Sequence, residues 1–135
     1  MKTIKVVDFS EHPGLRHCKI SDDSGEEFYH KILNRSFKES FEKNEKLLVD
    51  LDNTAGYAPS FIDEAFGNLV YDFGLDIVKK HLVLISEQEP DLIDKIQGET
   101  YELWSVRKNE DKAPEKTTKH KSWFFLDDGE IKEKK

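Results

Sequence analysis

An α/β fold, built as a mixed, mainly parallel sheet of about four strands with helices packed on it, is predicted by three features of this 135-residue sequence. Short apolar runs of strand length alternate with longer segments whose apolar residues recur at helical spacing. Two candidate strands precede the first helix, which adds one antiparallel pair to an otherwise parallel order. Pro and Gly stand at the joints between these segments.

Thr3 to Phe9 and Arg16 to Ile20 read as short strands, separated by Glu11-His12-Pro13-Gly14 and able to pair as a hairpin. Ser24 with Glu27 makes a capping-box pattern, and Phe28, Ile32, Leu33, Phe37 and Phe41 follow as an apolar stripe. A helix is therefore predicted from about Gly25 to Glu42. Lys46 to Asp52 is the next strand, its nearly continuous run of Leu47, Leu48, Val49 and Leu51 being that of a strand covered on both faces. A helix from about Pro59 to Phe73 buries Ile62, Ala65, Phe66, Leu69, Val70 and Phe73, with Gly74 suited to its C-cap. His81 to Ile85 is a further strand, and Pro90 opens a helix whose buried side is Leu92, Ile93, Ile96, Leu103 and Trp104.

From Arg107 to Ser122 the composition changes to six Lys or Arg and three acids without a large apolar residue. Such a stretch buries too little to offset the entropy of ordering it. The expected organisation is a folded domain over 1–106, a flexible basic linker over 107–122 and an aromatic-acidic tail over 123–135. Within the tail, Trp123-Phe124-Phe125-Leu126 either docks back on the domain as an edge strand or plug, or serves a partner as a short linear motif.

Charge and composition narrow the function. The chain has a net charge of −7, and residues 1–106 alone hold 12 basic and 21 acidic side chains, a balance that repels phosphate backbones and argues against a nucleic-acid partner. Cys18 has no second cysteine to pair with, and Met1 to Ser10 has no signal-peptide pattern. No apolar stretch approaches the roughly 20 residues of a membrane span. A cytoplasmic protein with no membrane partner is expected.

The polar residues between the Lys46 strand and the Pro59 helix are the first place to look for a site, because ligands and partners of open α/β sheets bind beyond the carboxyl ends of the strands. Asp50 and Asp52 lie on one side of a strand and, with Asp63 and Glu64, either gather around a hard cation or bond to turn amides around Thr54 and Gly56. No dedicated metal motif accompanies them, and His12, His17, His30, His81 and His120 have no ligand spacing, so neither metal nor cofactor is expected. Arg16 is suited to hold a carboxylate or phosphate near Tyr57, or to tie Asp52 into a local ion pair. The glycines are isolated and form no phosphate loop, so no enzyme is expected. Ser60 followed by Asp63 has the pattern of a helix N-cap.

Several separated pieces, Pro13-Gly14-Leu15-Arg16, Ser24-Gly25-Glu26-Glu27-Phe28, Asp50-Leu51-Asp52-Asn53-Thr54, Gly56-Tyr57 and Ser60-Phe61-Ile62-Asp63-Glu64-Ala65-Phe66-Gly67, resemble in order the bacterial STAS-like family of unassigned function. The turn and helix also resemble the segment of anti-sigma-factor antagonists that carries their regulatory serine, with Ser60 at the matching helix start. Phe61 and Ile62 stand where those antagonists present small residues. The resemblance implies a STAS-like layout and a non-enzymatic, protein-binding regulatory domain in a bacterial signalling system. The partner it implies is a histidine-kinase-type ATPase acting as anti-sigma factor or serine kinase, with Ser60 as the phosphorylated switch. The expected contact surface is Tyr57, Ser60, Asp63, Glu64 and, on the exposed face of the helix that follows, Asn68 and Tyr71. The alternative is a small-ligand or phosphoester-binding protein using Arg16, Asp52, Thr54 and Ser60.

Overall fold

Three strands, β1 (Lys2–Lys5), β2 (Leu47–Asp50) and β3 (Leu82–Ile85), form a parallel sheet in the order β1-β2-β3. They belong to a computed structural model that describes residues 1–19 and 22–134. The expected fourth strand of a mixed sheet does not form among the described residues, since 16–19 make bends and a turn, and Ile20 lies outside them. The backbone bonds give the reason. The carbonyls of Leu15 and Arg16 accept from the N–H groups of Gly25 and Glu26 at 2.9 and 3.0 Å, so this segment satisfies the open end of a helix and not a neighbouring strand. β1 is shorter than predicted because its partner β2 ends at Asp50, opposite Lys5. Val6–Phe9 then turns into a single helical turn, α1, with Val6 fully buried.

Side chains alternate along the sheet. Leu47, Val49, Leu82 and Leu84 are buried, whereas their neighbours Leu48, Asp50, Val83 and Ile85 are half-buried. The sheet is therefore packed on one face, not on both as the apolar run implied.

The first long helix has the predicted span but is built in three parts: α2 (Gly25–Phe28), a π turn (Tyr29–Leu33) and α3 (Asn34–Glu42). Ser24 caps it, its hydroxyl accepting from the Glu27 N–H at 3.1 Å. In the π turn the Asn34 N–H reaches back five residues to the Tyr29 carbonyl, which inserts one residue into the ladder and shifts the helical phase. α4 (Pro59–Phe73) keeps its predicted bounds, and Gly74 closes it at φ 91°, a conformation open mainly to glycine. α5 (Leu75–His81) was not legible as a helix, and it takes in His81, expected as the start of a strand. Asp76 in its first turn and Lys79, Lys80 and His81 in its last complement the helix dipole.

The last helix also contains a π turn, running as α6 (Pro90–Lys95), Ile96–Thr100 and α7 (Tyr101–Asn109). Ile96, Tyr101 and Trp104 are buried, but Leu103, expected beside them, is 65% exposed, because the inserted residue rotates α7 relative to α6. Gly67 of α4 meets Trp104 here. A Cβ at Gly67 would fall within the Trp104 ring, so the two helices pack this closely only because that position has no side chain.

The segment expected as a linker begins inside α7 and then crosses the body, where Thr117 and His120 bond to Glu26, and Lys116 to Asn68. The aromatic run forms β4 (Trp123–Asp127), paired antiparallel with β5 (Glu130–Lys134). Their two-residue turn, Asp128 at φ 52° and Gly129 at φ 80°, has the positive angles of a type I′ hairpin. The hairpin docks through Asn34, which donates to the Phe124 carbonyl at 2.8 Å and accepts from the Phe124 N–H at 2.9 Å. The side-chain amide thus stands in for one rung of a strand.

Gly67→Ala is expected to lower stability by about 1–3 kcal/mol, the range for overpacking, with a shift in tryptophan emission as Trp104 is displaced; urea melts followed by fluorescence measure both. In hydrogen exchange, amides over 112–115 should exchange fast, whereas the Thr117 amide, bonded to Glu26 at 3.0 Å, should be slow.

Candidate functional site

The start of α4, the loop carrying Arg16 and the helical run α6 to α7 enclose an open cleft of about 550 Å³. α4 opens without a side-chain cap. Its N-cap residue is Ala58, followed by Pro59 in the first turn, so Ser60 is not the cap its spacing with Asp63 suggested. Ser60 instead lies half-buried in the first turn and lines the cleft.

Arg16 closes one side. Its Nη1 donates to Asp63 Oδ2 at 2.6 Å and to Glu64 Oε1 at 3.1 Å, while the Trp104 indole N–H donates to Asp63 Oδ1 at 3.1 Å. Burial pulls the Arg16 guanidinium down, but the two carboxylates more than offset it and hold it above its ordinary value. The expected tie between Arg16 and Asp52 is thus replaced by a bridge across to α4. The rest of the lining mixes apolar and acidic side chains. Tyr57, Ile62, Leu92 and the exposed Leu103 share the walls with Glu89, Asp91 and Glu99, against which Lys95 is the second cation.

Of the six residues expected to form a contact surface, Tyr57, Ser60 and Asp63 line this cleft. The other three do not face outward. Glu64 is 2% exposed and Asn68 fully buried, and Tyr71 is covered where Lys108 donates to its carbonyl at 2.7 Å. Asn68 bonds Glu64 through Nδ2 at 2.7 Å and accepts from the Lys116 ammonium at 2.8 Å. A polar helix face that looked solvent-facing is buried under the C-terminal segment.

Of the alternative ligand set, Arg16 and Ser60 line the cleft and Asp52 and Thr54 do not. The Asp52 carboxylate accepts from the N–H groups of Glu87 and Gln88 beyond β3, and the Thr54 hydroxyl accepts from the Gly56 N–H. Asp50 accepts from the Asp52 N–H, and the Tyr57 hydroxyl donates to the Leu51 carbonyl at 2.7 Å. These acids hold loops and do not converge on a cation.

A second polar centre, not anticipated, surrounds Glu26, whose side chain is fully buried at the first turn of α2. It accepts from the Cys18 and Thr117 N–H groups at 3.1 and 3.0 Å and from the Thr117 hydroxyl at 2.6 Å, and it pairs with His17 and His120. Burial pushes this carboxyl up, but the bonds from Thr117, His120 and Cys18 outweigh it and hold it at about 2. Its partners lie up to 94 residues away, so no local spacing reveals them. The only trace in sequence is an acid at a position the fold buries.

Arg16→Ala leaves Glu64 buried without its cation and should cost about 3 kcal/mol in urea denaturation. Glu64→Gln in the same background should recover a large part, and an undiminished loss in the double variant would refute the bridge.

No curated protein and no solved structure matches this chain. Residues 24–92 match a family described as a STAS-like domain of unknown function, a span running from the cap of α2 to the first turn of α6. With half of its length so matched and a parallel sheet carrying helices on one face, the chain belongs to the family of STAS-like domains of unknown function.

Proposed function

We propose that this STAS-like chain is a non-enzymatic regulatory domain that binds a protein partner across the cleft between α4 and α6–α7, and that Ser60 switches the contact. The observation that carries this reading is the position of Ser60, in the first turn of α4 on the wall of a cleft whose other side presents the exposed Leu103. The occupant it suits is a protein surface with an apolar anchor for Tyr57, Leu92 and Leu103 and basic groups for Glu89, Asp91 and Glu99. By analogy with anti-sigma-factor antagonists, that partner is a histidine-kinase-type ATPase in a bacterial signalling system.

The charges also support a switch. A phosphate on Ser60 adds close to two negative charges beside Asp63, and the cations that line the same cleft are Arg16 and Lys95. Recruiting Arg16 competes with the bridge to Asp63 and Glu64, which loosens the α4 start that the partner reads. A small-ligand site has less support, since Arg16 is already engaged and Asp52 and Thr54 stand outside the cleft.

The test begins with affinity purification from the native host and mass spectrometry of copurifying proteins and of Ser60. Calorimetry with the recovered partner should then find Ser60→Ala binding like wild type, Ser60→Asp weaker by about 1 kcal/mol or more, and Leu103→Asp weaker still. Because Ala58 holds the cap position, Ser60→Ala should melt like wild type. Equal affinity for wild type and Ser60→Asp would remove the switch, and unchanged binding by Leu103→Asp would remove the cleft.

A further inference from the structure

Around Glu26, three ligand-type side chains converge from segments far apart in sequence. Cys18 Sγ, a Glu26 carboxylate oxygen and a ring nitrogen of His120 all lie within 4.8 Å of one another. Glu26 is fully buried, the His120 side chain is 5% exposed, and Cys18 is half-buried. We propose that Cys18, Glu26 and His120 form a binding site for a zinc-class divalent ion that fastens the C-terminal segment onto the N-terminal half of the domain.

The donor set fits that class of ion. One thiolate, one imidazole and one carboxylate are the ligands of borderline-soft divalent metals, and together the thiolate and carboxylate neutralise a divalent charge, as a buried site requires. Calcium and magnesium, which call for oxygen ligands, do not suit it. Three protein ligands leave a position for water.

The surroundings are those of a supported site. Glu26 Oε1 accepts from the Cys18 N–H, the Thr117 hydroxyl and His17 Nδ1, while Oε2 faces His120 Nε2 at 2.5 Å and accepts from the Thr117 N–H. Both oxygens are thus fixed by outer contacts, from Cys18, Thr117 and His17, and Oε2 is also bonded directly to the second ligand, so the carboxylate is held in orientation beside it. The His120 ring is clamped in turn, stacked on His30 at 4.0 Å between centroids and 15° from parallel.

His30 supplies an independent sign. It is 4% exposed, and neither ring nitrogen has a hydrogen-bond partner among the described residues. Native buried imidazoles are rarely left so, and an orphaned one packed against this cluster marks a missing polar group, such as water on a bound ion. Coordination by Cys18 exchanges its S–H bond for the metal–sulfur bond and releases that proton to solvent.

The test uses the full chain, stripped with a chelator and titrated with Co²⁺. A thiolate-to-cobalt charge-transfer band should grow to one-to-one saturation and collapse when Zn²⁺ is added. Cys18→Ser should abolish the band, and His120→Gln should weaken binding by at least about tenfold, both with wild-type circular dichroism. Zn²⁺ should also raise the melting temperature and slow exchange at the Thr117 amide in wild type but not in His120→Gln. A band that fails to saturate, or one that persists unchanged in both variants, would overturn the site. Should Cys18→Ser not fold, His120→Gln decides alone, since His120 belongs to the docked segment and not to the core.

Discussion

Helix α4 buries 12 of its 15 residues, and three of them, Glu64, Asn68 and Asp72, follow one another at single-turn spacing. None of these three can rely on water. A buried polar group without a partner costs about 1–3 kcal/mol and a buried charge more, so each of the three requires a group delivered by another element. Arg16 reaches Glu64 from the N-terminal loop, Lys116 reaches Asn68 from the C-terminal segment, and the Tyr29 hydroxyl donates to Asp72 at 2.5 Å from a π turn. Burial pushes the Asp72 carboxyl and the Tyr29 phenol up and the Lys116 ammonium down. The placement of three otherwise unrelated segments thus follows from one polar stripe.

That stripe also marks where reading from sequence stops. β2, α4, the cap at Ser24 and the Gly74 stop are governed by local pattern and were legible from it. Arg16 to Ile20 read as a strand because the Pro13-Gly14 turn set it off from a first strand it could pair with, yet the carbonyls of Leu15 and Arg16 serve the start of α2. Glu64, Asn68 and Tyr71 read as solvent-facing because polar residues usually are, and only the docking of residues some 40 positions away reverses that. Tyr57, Ser60 and Asp63, read from the polar stretch between β2 and α4, line the cleft. The Glu26 centre was invisible for the opposite reason, being made of contacts with no local signature.

The C-terminal segment occupies an unusual position in this balance. Residues 107–135 carry nine basic and seven acidic side chains, against an acidic body. Lys108 and Lys116 reach Tyr71 and Asn68 on α4, while Arg35 and Lys38 of α3 lie against the Phe124 ring. Hydrogen bonds from Lys108, Lys116, Thr117 and His120, together with Phe124, Leu126 and Ile131 packed against the core, bring this polypeptide into place.

The π turn at Ile96–Thr100 bears on how such a chain can change over evolution. A π turn is in effect a single-residue insertion within a helix. Removing one residue from it would rotate all of α7 by about 100° relative to α6, carrying Trp104 off Gly67 and away from Asp63 in the same step. No substitution in either helix would restore both contacts. The number of residues in this turn is therefore under as strict a constraint as the identity of any side chain in the core, and variation here should proceed by exchange of residues and not by gain or loss of them.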